Sequence, residues 1–158
     1  MKTIIKLASD LRSILEKDHS ELDSMGFPFI GMFPRDCCRG ASVFLGLITN
    51  KFYPKYSINI IQGTTLDRYS GHYWVEINSK VYDITIDQFL SWDDLKQQCP
   101  IKPVYALDVH PLNEYFCHKI KYSHIEAFSF YCSEVANLKN VIAMYDVLLK
   151  KLKELGWA

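Results

Sequence analysis

The chain has 158 residues, 18 basic and 18 acidic, and 49% of it is apolar. That length suits one domain, residues 1–158, burying roughly two-thirds of its unfolded surface. A formal net charge of zero excludes the broad basic footprint of a nucleic-acid or anionic-membrane binder.

Ile4, Leu7, Ala8, Leu11, Ile14 and Leu15 recur at helical spacing and predict an amphipathic helix over residues 3–17 with one buried stripe. The first residues are apolar, but Asp10 and Arg12 interrupt them before a signal core could form. Nowhere does an apolar run approach the ~20 residues of a membrane span. Five cysteines, an odd number without framework spacing, suit reduced thiols in a reducing compartment. The expectation is a cytoplasmic protein, or one exported without a cleaved signal.

Gly26, Pro28, Gly31 and Pro34 break the helical period and predict a loop up to Cys37 and Cys38. Ala41, Phe44, Leu45 and Ile48 then share a helix face, with Asp36 as the expected N-cap, so that Cys38 falls in the first turn. Tyr56–Ile61, His72–Ile77 and Val81–Ile86 are rich in β-branched and aromatic residues and read as strands. Tyr105–Val109 and Tyr115–Tyr122 suggest further strands, and helical spacing returns from Glu126 to Leu155. The pattern is α+β: N-terminal helices packed on an antiparallel sheet, then a C-terminal helix.

Chemistry concentrates in the middle. A thiol attacks well only as its thiolate, and a helix start beside an imidazole promotes that form. Cys38 and His72 supply the two groups. On a strand, His72, Trp74 and Glu76 share one face. If Asn78-Ser79 is a two-residue turn, Ile77 pairs with Lys80 and His72 lies diagonal to Asp83, ~7–8 Å away at the backbone. If the turn is Ser79-Lys80, His72 faces Asp87 instead. Both acids stay open at this point, as do Gln62 and Trp74 as oxyanion or pocket donors.

Three phrases, Cys38-Arg39-Gly40-Ala41-Ser42, His72-Tyr73-Trp74-Val75-Glu76 and Asp83-Ile84-Thr85, together resemble the transglutaminase-like branch of papain-fold cysteine enzymes. The likeness runs from Pro34 to Phe89, about a third of the chain. It implies a papain-like core, with Cys38 as nucleophile, His72 as base and Asp83 as orienting acid. Tyr73 stands where the pattern has a small residue, and Ile84 where it has proline.

The implied function is an amide- or peptide-bond hydrolase or acyltransferase working through an acyl-enzyme on Cys38. Cysteine peptidase, glutamine deamidase and transglutaminase share this chemistry, and its substrate would be a protein or peptide. Alternatives are a catalytically silent papain-like binding or inhibitory module and a bacterial toxin or effector domain. Cys37 is the rival nucleophile, turned ~100° from Cys38 on a helix. No cofactor is expected. No metal is expected either: His110, His118 and His124 with Cys99, Cys117 and Cys132 lack Cys-x-x-Cys or His-x-x-x-His spacing. Oligomeric state is not written in the residues.

Overall fold

The structure, a computed structural model, describes residues 2–158. Helix α1 (Ile4–Lys17) begins where the Thr3 side chain accepts the Lys6 N–H, and its Leu7, Leu11 and Leu15 stripe is fully buried. A short α2 (His19–Ser24) follows, in a stretch where the sequence marks no element. Its six residues bury only Leu22, too few to leave a periodic trace. Helix α3 (Cys38–Phe52) then carries Ala41, Phe44, Leu45 and Ile48 into the core. Asp36 is not its N-cap: Cys37 holds that position with no side-chain capping bond, and Asp36 sits at φ 58° one residue earlier.

Five antiparallel strands form one sheet: β1 (Ile58–Thr64), β2 (Gly71–Ile77), β3 (Lys80–Asp83), β4 (Val104–Leu107) and β5 (His118–Ser123), in the order β4-β3-β2-β1-β5. Asn78 and Ser79, both at positive φ, make the tight turn between β2 and β3, so Ile77 pairs with Lys80. The β3 ladder ends at Asp83, and Ile86–Ser91 coils into a 3₁₀ segment instead of continuing the expected strand. The expected C-terminal helix is two helices, α4 (His124–Glu134) and α5 (Leu138–Glu154). Asn137 starts α5 by accepting the Asn140 N–H, which is a stop-and-restart signal inside an otherwise helical pattern.

Helices α1, α3 and α4 cover one sheet face, where Ile58, Ile60, Val75 and Ile77 are buried, and α5 packs on α1 and α4. The opposite face is closed by irregular chain that brings Phe89, Leu95, Leu112 and Phe116 onto Ile61, Trp74 and Val81. Gly63 makes the second layer possible: a Cβ there would lie 2.7 Å from the Trp74 ring and 2.8 Å from Phe116.

Candidate active site

His72, the second residue of β2, turns into the second layer, where Phe89 meets it edge-on at 4.7 Å and Phe116 lies at 5.6 Å. Its side chain is wholly buried. Nε2 lies 2.6 Å from Asp83 Oδ2, across the register that the Asn78-Ser79 turn sets. Asp87 is elsewhere: Arg12 grips both its oxygens, at 2.6 and 2.8 Å, and also donates to the Ile84 carbonyl. Of the two acids left open by sequence, Asp83 is the one beside His72.

Asp83 accepts four hydrogen bonds. Besides His72, His110 Nε2 donates to Oδ2 at 2.8 Å, and the Thr85 N–H and hydroxyl donate to Oδ1 at 3.0 and 3.3 Å. Burial alone would raise its pKa, but the charge of His72 and the histidine hydrogen bonds hold the carboxyl well below the usual range. For His72, burial pulls down, while the Asp83 charge and hydrogen bond, with a hydrogen bond to the Cys38 thiol, pull further up, to about 10. His110 goes the other way: burial outweighs Asp83 and keeps it neutral.

Sequence reasoning weighed His110 only among the histidines that lack metal-ligand spacing, and nothing in its flanking residues marks it as a partner of Asp83. It lies in the loop after β4, stacked on Trp74 with centroids 4.0 Å apart. The Leu112 N–H donates to its Nδ1, so the proton sits on Nε2 and points at Asp83. That tautomer decides a further question. His72, Asp83 and His110 lie close enough together to be a metal-ligand set. A neutral imidazole whose Nδ1 accepts a hydrogen bond has no free lone pair on Nε2, and contacts of 2.6 and 2.8 Å are hydrogen bonds in length. The group fits protons, not an ion.

Cys38 is the first residue of α3 and half-buried. With no side chain capping α3, the first-turn N–H groups lack intrahelical acceptors and face whatever charge develops at the thiol. Cys37 is excluded from that role. It is 1% exposed, donates its thiol to the Phe29 and Arg35 carbonyls, and burial pushes its pKa up to about 12.

The expected auxiliary donors separate. Gln62 pairs with Tyr73 and lies on the helix-covered face, its Oε1 accepting from Tyr122, whereas Trp74 belongs to the opposite layer. Trp74 Nε1 is buried and has no partner among the described residues. A second carboxamide, that of Gln88, lies beside His72. Gln88 Nε2 donates to the Thr85 carbonyl at 3.0 Å and lies 3.4 Å from His72 Nδ1. The 3₁₀ segment that replaces the end of the expected strand puts it there, which period-two reasoning could not foresee.

A cavity of about 310 Å³ lies between α3, α4 and the sheet. Arg39, at its mouth, pairs with Glu134 at 2.6 Å and covers the Tyr73 ring at 5.3 Å. Burial pushes the Tyr73 phenol up, with the Arg39 charge opposing it. No family model matches the chain, and neither the curated proteins nor the solved structures contain a significant match to it.

Proposed function

We propose that the protein is a thiol enzyme of papain-like, transglutaminase-like type that acts on amide bonds of a protein or peptide through Cys38, His72 and Asp83. One observation carries the reading. A fully buried imidazole is tied through Nε2 to a carboxylate with four donors, and its only remaining ring nitrogen is left for the thiol and an amide. Buried groups perturbed by both burial and a specific charge partner concentrate at functional sites, which supports this reading.

In this reading His72 Nδ1 takes the Cys38 proton, and Asp83 holds the ring and stabilises the imidazolium. The thiolate attacks the amide carbonyl, and oxygen charge develops against the Cys38 backbone N–H, with Gln88 as the second donor. His72 then returns the proton to the leaving amine. Water or an amine resolves the acyl-enzyme, giving hydrolysis or transamidation.

The test is the pH dependence of iodoacetamide alkylation at each cysteine, mapped by peptide mass spectrometry in the native protein, His72→Ala and His72→Gln. The expected result is alkylation of Cys38 near pH 6.5 well ahead of exposed Cys117, lost in either variant that retains native far-UV circular dichroism. Equal reactivity of Cys38 and Cys117 at every pH sinks the reading and leaves the fold as a binding module.

A further inference from the structure

Resting on the thiol reading above, we propose that His110 is a positioning residue: by donating to the Asp83 oxygen that also holds His72, it locks the carboxylate and takes a share of its charge. No step of the thiol reaction uses this imidazole, yet it is only 3% exposed and bonded to the acid of the site. Each carboxylate oxygen offers about two acceptor positions. At Oδ1 both are filled by Thr85, through its N–H at 3.0 Å and its hydroxyl at 3.3 Å. At Oδ2 His72 takes one at 2.6 Å and His110 the other at 2.8 Å. Without His110 that oxygen would be held only by His72, the ring it has to aim. His110 supplies an anchor that does not gain and lose a proton as His72 does.

The anchor is itself fixed. The Leu112 N–H donates to His110 Nδ1 at 3.1 Å, and the ring stacks on Trp74 with centroids 4.0 Å and planes 23° apart. One N–H remains, and it points at a carboxylate that already has three donors, so Asp83 would be hydrogen-bonded without it. The remaining effect is electrostatic. Burial keeps His110 neutral; Asp83 on β3 opposes it, and His72 on β2 and Lys119 on β5 add to it. A neutral donor stabilises the carboxylate charge without adding a positive one, so Asp83 depends less on His72. The His72 imidazolium, which Cys38 on α3 meets from its other side, is then held less tightly than by an oxygen of its own. It returns its proton to a leaving amine more readily, because an acid works best when its strength lies near the working pH.

The experiment is proton and nitrogen NMR of the histidine rings at pH 6.5 in the native protein, His110→Phe and His110→Gln, with iodoacetamide alkylation of the native protein alongside. Phenylalanine keeps a ring on Trp74 and removes the donor, whereas glutamine restores a donor. In the native spectrum His110 should be uncharged with its proton on Nε2, at a pH where a free imidazole is about half protonated. The His72 Nε2 proton, deshielded by its short bond to Asp83, should move further downfield in His110→Phe, where that bond no longer shares its oxygen. It should return to the native position in His110→Gln, a rescue that loss of packing alone would not give. A native His110 that is charged, or that carries its proton on Nδ1, overturns the proposal whether or not the variants fold. So does a His72 resonance that stays in place in a folded His110→Phe. Either result, with native Cys38 alkylating faster than Cys117, leaves the thiol reading standing. If native Cys38 alkylates no faster than Cys117, the thiol reading itself fails and the role of His110 fails with it.

Discussion

Replacing Asp83 with Asn tests the buried charge relationship most directly. Burial alone would lower His72; Asp83, with Cys38, overrides it and raises the imidazole to about 10. An unfolded imidazole titrates near ~6.5. A group raised on folding adds stability that is fully present below that value and is lost as pH climbs through the folded value. The shift is worth roughly 3–5 kcal/mol between about pH 6.5 and 10, at about 1.4 kcal/mol per unit. Asp83 itself is depressed, so its share is present above about pH 4 and disappears only in stronger acid. His110, held neutral by burial, adds stability above about pH 6.5 that is lost as pH falls. Urea denaturation of the native chain and Asp83→Asn at pH 6.5, 8 and 10 isolates the pair, because tyrosine, lysine and cysteine titrations are common to both proteins. The gap between them should be widest at pH 6.5 and shrink by several kcal/mol at pH 10, moving the difference in midpoints by about 2 M at a typical slope. A gap that stays constant from pH 6.5 to 10 refutes the charged pair.

Other substitutions address separate parts of the molecule. Gly63→Ala forces a Cβ against Trp74 and Phe116 and should lower stability by about 2 kcal/mol, or the melting temperature by roughly 4–8 °C; an unchanged melting curve would show that the second layer is loose. Arg12→Met leaves Asp87 and the Ile84 carbonyl without their buried donor and should cost about 3 kcal/mol in urea titration. Cys37→Ala should leave the Cys38 alkylation profile unmoved, and native Cys37 should resist iodoacetamide at pH 8, since burial sets its thiol at about 12. Ser123→Ala breaks the reciprocal Ser123–Glu126 cap on α4 and should cost about 1 kcal/mol by thermal melting.

Much of this arrangement was legible locally. The α1 stripe follows from a short period, and turn chemistry narrows the β2–β3 register to two choices, Asn78-Ser79 with Asp83 or Ser79-Lys80 with Asp87, between which only the folded chain decides. The rest depends on tertiary contacts. Asp36 has a favoured capping side chain, but its left-handed backbone moves the helix start to Cys37. Val81–Ile86 has strand composition, yet Asp83 turns its carboxylate to the Thr85 N–H and the chain coils, which brings Gln88 to His72. His110 reaches Asp83 from a loop 27 residues away, a contact that no short-range pattern announces.

The sharing of Asp83 by two imidazoles also bears on the order in which the molecule comes apart. His72 belongs to a central strand, whereas His110 belongs to a loop whose neighbour Val109 is exposed and whose hold on the sheet runs through Leu112 and Phe116. When that loop lifts, Asp83 loses a donor and His72 gains a route to water, so the buried pair is hydrated while the helices and sheet are still in place. Exchange of the His72 and Asp83 backbone amides should therefore set in a few degrees before helical circular dichroism is lost, reporting on the loop rather than on the fold.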